Sequence, residues 1–320
     1  MAVTTQGTIT QASTTGTWSA GVLINYVTDE IRTLEPNLEF AKFGVKRDVP
    51  RGYAVLAFPQ TYQLVNTAAS SVTEGTSLSG PYNWNSTAYT SNVTQYGQYV
   101  QVSDILIRNS ALETVDNALR QIKLLLARSL DINLQSTVNG GTYGVNYAGG
   151  RTARTQIGAG DLMDTSLYAK CIRDLAKSGN NGVQPFSNGA YAVIMHTSQE
   201  YDLMSNTNQG GWLDVGRYVS PDQIISGKVD AFRGGMVLRT PNVQTFSSTQ
   251  TVYPATFLGR ESFGWGFFQD ITPILVTTAD SYNPLLVYTT IGGKYAMGST
   301  LFETASGSTR VIRAESAVSS

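Results

Sequence analysis

The sequence predicts an α+β fold organised around one long helix. Three observations carry that prediction. Residues 110–138 hold an apolar stripe, Leu112, Val115, Leu119, Ile122, Leu126 and Leu130, at spacings of three and four. Residues 52–104 read as β structure with a turn-rich middle. Several short β-type runs then alternate with turns from 227 to 301. No period repeats, so a solenoid or propeller is not supported, and no linker is long enough to separate independent domains.

The elements follow in order. Residues 1–18 are a Thr/Ser/Gln arm without a charged side chain. A polar terminus with no core of its own is ordered only when something clamps it, and a neighbouring subunit is the simplest clamp. Ser19 opens a first helix, with Val22, Leu23, Tyr26, Val27, Ile31 and Leu34 on one stripe, and Pro36 stops it. Tyr53–Phe58 is a short apolar strand closed by Pro59, and Tyr89–Ser103 is a long strand with polar and apolar residues on both faces. A strand on its own core should alternate; one that meets neighbours along its length need not. Residues 52–104 are therefore expected to form a projecting hairpin.

The helix from Ser110 to Val138 would span ~43 Å at ~1.5 Å per residue, long enough to be the spine of the subunit. Asn139-Gly140-Gly141 ends it. A glycine-rich loop covers 139–160, and a helix covers Asp161–Ser178, with Asp161 as N-cap and Asp164 in the first turn. Tyr191–Met195 is a buried-type strand. Thr197-Ser198-Gln199-Glu200 is a capping box opening a short helix. Strands are predicted at Met236–Thr240, Thr251–Leu258, Ile274–Thr277, Leu285–Ile291 and, after a Gly307-Ser308 turn, Arg310–Ala314.

Composition bounds the function. Charged residues make up 14% of the 320 residues and there are 17 tyrosines, so the surface is largely Thr, Ser, Asn, Gln, Gly and Tyr. Interface cores are depleted in Lys and Glu and enriched in Tyr, which suits a protein with many protein neighbours. The single His (His196) and single Cys (Cys171) exclude a Cys/His zinc site from one chain and any intrachain disulfide. Net charge is −1, which does not mark a dedicated nucleic-acid binder. No export signal is recognisable at the N-terminus, and no apolar run approaches a membrane span.

Catalytic chemistry finds little support. Cys171 lies among Leu167, Tyr168, Ile172 and Leu175 on a helix, and reads as a core thiol. His196 reads as a structural imidazole at a strand–helix junction. Asp161 and Asp164 are explained by capping, Asp29 and Glu30 by a solvated helix face. No G-x-S-x-G elbow, phosphate-binding loop or strand-linked G-x-G-x-x-G occurs. The sequons at Asn85 and Asn92 read as chance matches in an Asn/Thr-rich chain. No catalytic, cofactor-binding or metal residue is assigned. Arg108, Arg120, Lys123 and Arg128 lie on or beside the spine helix. They read first as a solvated face, and alternatively as a modest positive strip attracting packaged nucleic acid without reading its sequence.

The order of elements resembles the major capsid proteins of tailed phages, which have the Hong Kong 97 (HK-97) capsid fold. Thr73-Glu74-Gly75, followed by Val93-Thr94-Gln95-Tyr96-Gly97-Gln98-Tyr99-Val100-Gln101-Val102-Ser103-Asp104, is similar to the hairpin segment of the family typified by coliphage N-four. Ala192-Val193-Ile194-Met195-His196 resembles a strand that ends in His-Pro in that family. Asn283-Pro284-Leu285 with Gly292-Gly293-Lys294-Tyr295 resembles its "DPL … GWK" element. Thr197, Asn283 and Gly293 depart from the family's Pro, Asp and Trp. The resemblance covers about residues 18–315.

The resemblance implies an N-terminal arm and first helix (1–49), an extended loop (50–104), a peripheral domain with the spine helix (105–154 and 281–320) and an axial domain (155–280). It implies a non-enzymatic major capsid protein of the virion, assembled in the host bacterial cytoplasm. The subunit would self-assemble into hexamers and pentamers of an icosahedral head enclosing double-stranded DNA. Partners would be further copies, a separate scaffolding protein, a portal protein and DNA contacted without sequence specificity, with room for a decoration protein and none for a membrane. The alternatives are an encapsulin-like nanocompartment shell, a secreted or surface-layer binding module and, last, a carboxylate hydrolase.

Overall fold

The computed structural model describes residues 39–50, 53–61, 74–75, 86–109, 114–141, 144–178, 182–206, 232–279, 282–303 and 309–319. The arm, the first helix from Ser19, the tip of the hairpin apart from Glu74 and Gly75, the first turn of the spine helix with Leu112, and the Gly307-Ser308 turn lie outside the described residues.

The strands, in chain order, are β1 (Val45–Lys46), β2 (Val55–Thr61), β3 (Ser86–Asn92), β4 (Thr94–Ser103), β5 (Val145–Tyr147), β6 (Tyr191–Met195), β7 (Gly235–Arg239), β8 (Phe246–Ser247), β9 (Thr251–Leu258), β10 (Phe263–Val276), β11 (Tyr288–Leu301) and β12 (Val311–Ser316). The helices are α1 (Asp104–Asn109), α2 (Thr114–Asn139), α3 (Thr165–Lys177) and α4 (Thr197–Ser205). A four-stranded sheet has the order β1-β10-β11-β4, a larger one the order β5-β12-β9-β6-β7 with β8 on β9, and β2-β3 form a separate ribbon.

α2 is the spine. Its polar residues Ser129 and Asn133 reach the Tyr295 hydroxyl of β11 at 3.0 and 2.9 Å, and Thr137 meets Ser299 at 2.7 Å. Ile122, Leu126, Leu130 and Leu134 are buried in one core with Phe263, Trp265, Tyr295 and Met297 of the four-stranded sheet. The same core takes Ala192 and Ile194 of β6. The alternate residues of β6, Tyr191, Val193 and Met195, enter a second core with Leu167, Tyr168, Cys171 and Leu175 of α3. Side chains of a strand point to opposite faces in turn, so a strand covered on both sides reads as a continuous apolar run. That is why Tyr191–Met195 is legible in the sequence.

Several elements differ from expectation. The long strand 89–103 is two strands: β3 pairs β2 as the ribbon, and beyond Val93 the chain crosses to the four-stranded sheet as β4, paired with β11. β2 runs through Pro59, which sits opposite Ala88 in a ribbon with no third strand among the described residues, a position where a missing N–H is tolerated. β10 and β11 are each 14 residues long, and both reach well beyond the predicted Ile274–Thr277 and Leu285–Ile291. α1 follows β4 directly and was not expected.

The glycines that hid β10 and β11 have a packing reason. A Cβ on Gly266 would lie 1.7 Å from the Arg47 carbonyl oxygen, where the segment after β1 crosses β10. One on Gly293 would lie 2.6 Å from a Leu126 methyl, where α2 presses on β11. Glycine inside a strand marks such close approaches.

Candidate assembly surfaces

The residues that carry chemistry are committed to structure. Cys171 is buried, burial pushes its thiol up to about 12, and Asn146 Nδ2 donates to its Sγ at 3.4 Å. A thiol held protonated in apolar surroundings is a poor nucleophile. His196 is the N-cap of α4: its Nδ1 accepts the Ser198 N–H at 3.2 Å, and burial lowers its pKa. The reciprocal bond of this capping box comes from Gln199, whose Oε1 accepts the His196 N–H at 3.2 Å. The box therefore begins one residue earlier than Thr197. Gln199 Nε2 also reaches the Tyr253 carbonyl and Ser316 Oγ, both at 2.9 Å.

Asp164, not Asp161, caps α3, accepting the Leu167 N–H at 2.7 Å. Asp161 instead closes the preceding loop. Its carboxylate accepts the Gly158 N–H at 2.8 Å and Arg151 Nε at 3.0 Å, and these bonds lower its pKa. Among the described residues, no group of three or more His, Cys, Asp or Glu could hold a metal ion. No described helix is long and apolar enough to cross a membrane.

Two buried polar clusters join distant segments. Asp131 and Gln135 sit one turn apart on α2. Asp131 accepts the Phe40 N–H and Gln135 Nε2, each at 3.1 Å. Gln135 Nε2 also donates to the Asn242 carbonyl, and its Oε1 accepts the Gln244 N–H, each at 2.8 Å. The root of the N-terminal segment and the loop after β7 are thereby fastened to the spine. Burial raises the pKa of Asp131 against the lowering effect of these bonds. Sequence reading missed this cluster because polar residues on a helix are ordinarily its wet side. The second cluster joins the 139–160 loop to β12 through Arg154, Arg313 and Glu315.

Among the described residues, several large apolar side chains are exposed. The Asp104 N–H donates to the Val287 carbonyl at 2.9 Å, which brings α1 beside the β10–β11 connection. Ile105 and Leu106 of α1 are exposed there, as are Tyr282 at 88% and Leu285 at 83%, followed by the exposed Leu286 and Val287. Among the described strands β4 is at the edge of its sheet, and it exposes Tyr99 and Val100. The base of the ribbon exposes Tyr53 and Val55, while Leu56 and Phe58 pack inward on Phe302. Exposed apolar patches and unpaired strand edges mark surfaces meant to be covered. Of the four basic residues singled out, Arg108 pairs with Asp104 at 2.9 Å. Arg120, Lys123 and Arg128 fan over about 140° of α2 at 3.6 residues per turn, not along one line.

A family model described as phage capsid protein matches residues 87–302. The chain belongs to that family. Solved phage capsids share its fold at low identity. The capsid asymmetric unit of cyanophage Pam1 matches with a TM-score of 0.68 at 13% identity, covering 99% of both chains. The capsid of Ralstonia phage GP4 matches with a TM-score of 0.68 at 12% identity, again over 99% of both chains. The capsid of Helicobacter pylori bacteriophage KHP30 matches with a TM-score of 0.67 at 10% identity, over 98% of this chain and 100% of that one. No curated protein matches. The α+β fold of this phage capsid protein is thus the HK-97 type expected from its sequence, and the protein is a structural subunit of the virion head.

Proposed function

We propose that this capsid protein is the major shell subunit, and that it assembles as hexamers and pentamers around double-stranded DNA. The observation that supports this most directly is the exposed apolar surface on a phage capsid fold: the α1/β10–β11 end, the β4 edge and the ribbon base. Those surfaces need neighbours, and in rings the neighbours are further copies joined by two different patches, donor and acceptor.

On this reading residues 50–104 act as the extended loop, 105–154 with 281–320 as the peripheral domain, and 155–280 as the axial domain. DNA meets the shell without sequence readout, through scattered Arg and Lys, with no catalytic group involved. A portal protein and a separate scaffolding protein complete the head.

Electron microscopy of the chain expressed alone, and with the scaffolding protein of its phage, tests this. Closed shells with six-fold and five-fold capsomers are expected in uniform size only with the scaffold. A chain that stays a small species under both conditions overturns the reading. Uniform shells from the chain alone overturn its scaffold requirement.

A further inference from the structure

We propose that Asp131 and Gln135 form a relay through which docking of residues 39–43 on α2 and closure of the 240–244 loop strengthen each other. This concerns the isolated subunit and does not depend on how shells assemble.

The polarity of the groups comes first. Asp131 Oδ1 accepts the Phe40 N–H and its Oδ2 accepts Gln135 Nε2, each at 3.1 Å. The Ala41 N–H favours the same carboxylate. Gln135 uses both ends of its amide. One Nε2 hydrogen serves Asp131 and the other the Asn242 carbonyl, while Oε1 accepts the Gln244 N–H. Both side chains are buried, so water does not replace a bond lost here.

These partners allow the amide one orientation. Turned over, its oxygen would face the Asp131 carboxylate and the Asn242 carbonyl, and its nitrogen would face the Gln244 N–H. Three attractive contacts would become repulsive together. A carboxylate only accepts, so Asp131 holds the amide the right way up for the loop. The near end of the loop has its own anchors: the Thr240 N–H donates to the Met195 carbonyl at 3.1 Å, and the Asn242 N–H to Thr240 Oγ1 at 3.2 Å. Its far end, at Gln244, is held by Gln135.

On the other side of the relay, Phe40 is fully buried in the core that contains Leu130 and Leu134. Glu39 acts on Asp131 as a like charge, and Lys42 Nζ, 2.8 Å from Glu39 Oε2, offsets it. With Phe40 seated, the Asp131 carboxylate is shut from water and keeps its bond to Gln135. With Phe40 lifted, water competes for Oδ2, the amide loses the partner that orients it, and the loop loses its far anchor. The reverse also holds. An open loop frees the Gln135 amide, and the carboxylate that receives Phe40 is no longer fixed. Such coupling is reciprocal by necessity. The two segments lie roughly two hundred residues apart in sequence, so a load on residues 39–43 is felt at the loop after β7.

Amide hydrogen exchange of the full-length unassembled subunit, read residue by residue by NMR, tests the relay. Asp131→Asn keeps the shape but has one accepting and one donating end, so one of its two donor partners meets a donor whichever way it turns. The Phe40 and Gln244 amides are expected to exchange tenfold or more faster in that variant, with the α3 amides unchanged. Phe40→Ala leaves both α2 side chains in place, and the Gln244 amide is again expected to accelerate tenfold or more. In a Gln135→Met background the Gln244 amide is already fast, and Phe40→Ala adds nothing to it. A Gln244 amide at the wild-type rate in Asp131→Asn or Phe40→Ala overturns the relay. So does a Phe40→Ala effect that persists in full with Gln135→Met, because it then travels through packing. Equal acceleration of α3 also overturns it, since the opening is then global. Gln135→Met alone reads the reverse direction without touching Phe40. The Phe40 amide is expected to exchange tenfold or more faster, and an unchanged rate there overturns the coupling.

Discussion

Arg154 grips Glu315 with two parallel hydrogen bonds, Nε to Oε2 at 2.7 Å and Nη2 to Oε1 at 2.6 Å. Glu315 is wholly buried on β12, and Arg313 Nε lies 2.7 Å from the same Oε1. Arg154 also stacks 3.7 Å above the Phe246 ring. A bidentate pair of this kind fixes geometry as well as charge, and here it ties the loop after the spine to the last strand. Removing one partner of a buried pair leaves the other charge uncompensated. Arg154→Met is expected to lower subunit stability by on the order of 3 kcal/mol, the low end for a broken buried pair because Arg313 remains. A urea melt of the unassembled subunit measures it, and a midpoint equal to wild type would remove the pair from the list of fold-holding contacts.

His196 makes the stability of α4 depend on pH. Its Nδ1 accepts the Ser198 N–H, which requires the neutral imidazole, and burial lowers its pKa from 6.5. The sign follows from linkage: a base whose folded pKa is below its unfolded value is harder to protonate when folded. The stabilisation is complete above about 6.5 and is lost as pH falls through the lower folded value. His196 is the only histidine, and the carboxylate Asp161, with its lowered pKa, titrates at more acid pH. Asp131, whose pKa burial raises, acts with the opposite sign and favours the fold as pH falls, so the His196 contribution is read as the difference between wild type and a variant without the ring between pH 7.5 and 5. His196→Asn keeps an N-cap acceptor without a titrating ring, so the wild-type thermal midpoint should drop relative to that of the variant as pH falls over that range. Parallel curves would assign the pH dependence elsewhere.

Much of the core was legible in the sequence and most of the assembly surface was not. The spine showed itself because Ile122, Leu126 and Leu130 pack on one sheet at helical spacing. β6 showed itself as an unbroken apolar run. β10 and β11 were half hidden because Gly264, Gly266, Gly292, Gly293 and Gly298 answer to segments that cross them, and crossings have no period. Asp131 and Gln135 were hidden for a related reason. What buries them is Phe40 and the 242–244 loop, each about a hundred residues away. Leu285, Leu286 and Val287, all exposed, looked like the start of a strand, since exposed apolar residues cannot be told by pattern from those that await a core.

The crossing at Gly266 gives a sharp substitution test. The Arg47 N–H donates to the Trp265 carbonyl and the Val49 N–H to the Phe267 carbonyl, each at 2.8 Å, so the backbone after β1 is zipped to β10 on both sides of Gly266. Gly266→Ala puts a methyl against the Arg47 carbonyl, a backbone atom with no rotamer to swing away. Overpacking of this kind costs about 1–3 kcal/mol. Hydrogen exchange should show the amides of Arg47 and Val49 opening faster than in wild type, with α3 unaffected. Equal loosening of α3 would mean that the substitution acts globally and not at the crossing.

The shell is expected to be held without covalent Lys–Asn welds through its hairpin. An isopeptide bond needs an amine that attacks an amide carbon, and a lysine does so only as the neutral, partly desolvated amine. No lysine lies between Lys46 and Lys123, so the ribbon of β2 and β3 and everything at its tip lack the nucleophile. Arginine does not replace it, because its guanidinium keeps its proton. Cohesion then falls to non-covalent contacts, chiefly the Tyr- and Leu-rich surfaces around Tyr53, Tyr99, Tyr282 and Leu285. A denaturing gel of mature particles, boiled with reductant, should give a single band near 34.5 kDa. A ladder of resistant oligomers would show that a weld exists and that its amine comes from outside the hairpin, with Lys42, Lys46 and Lys294 the first to map by mass spectrometry.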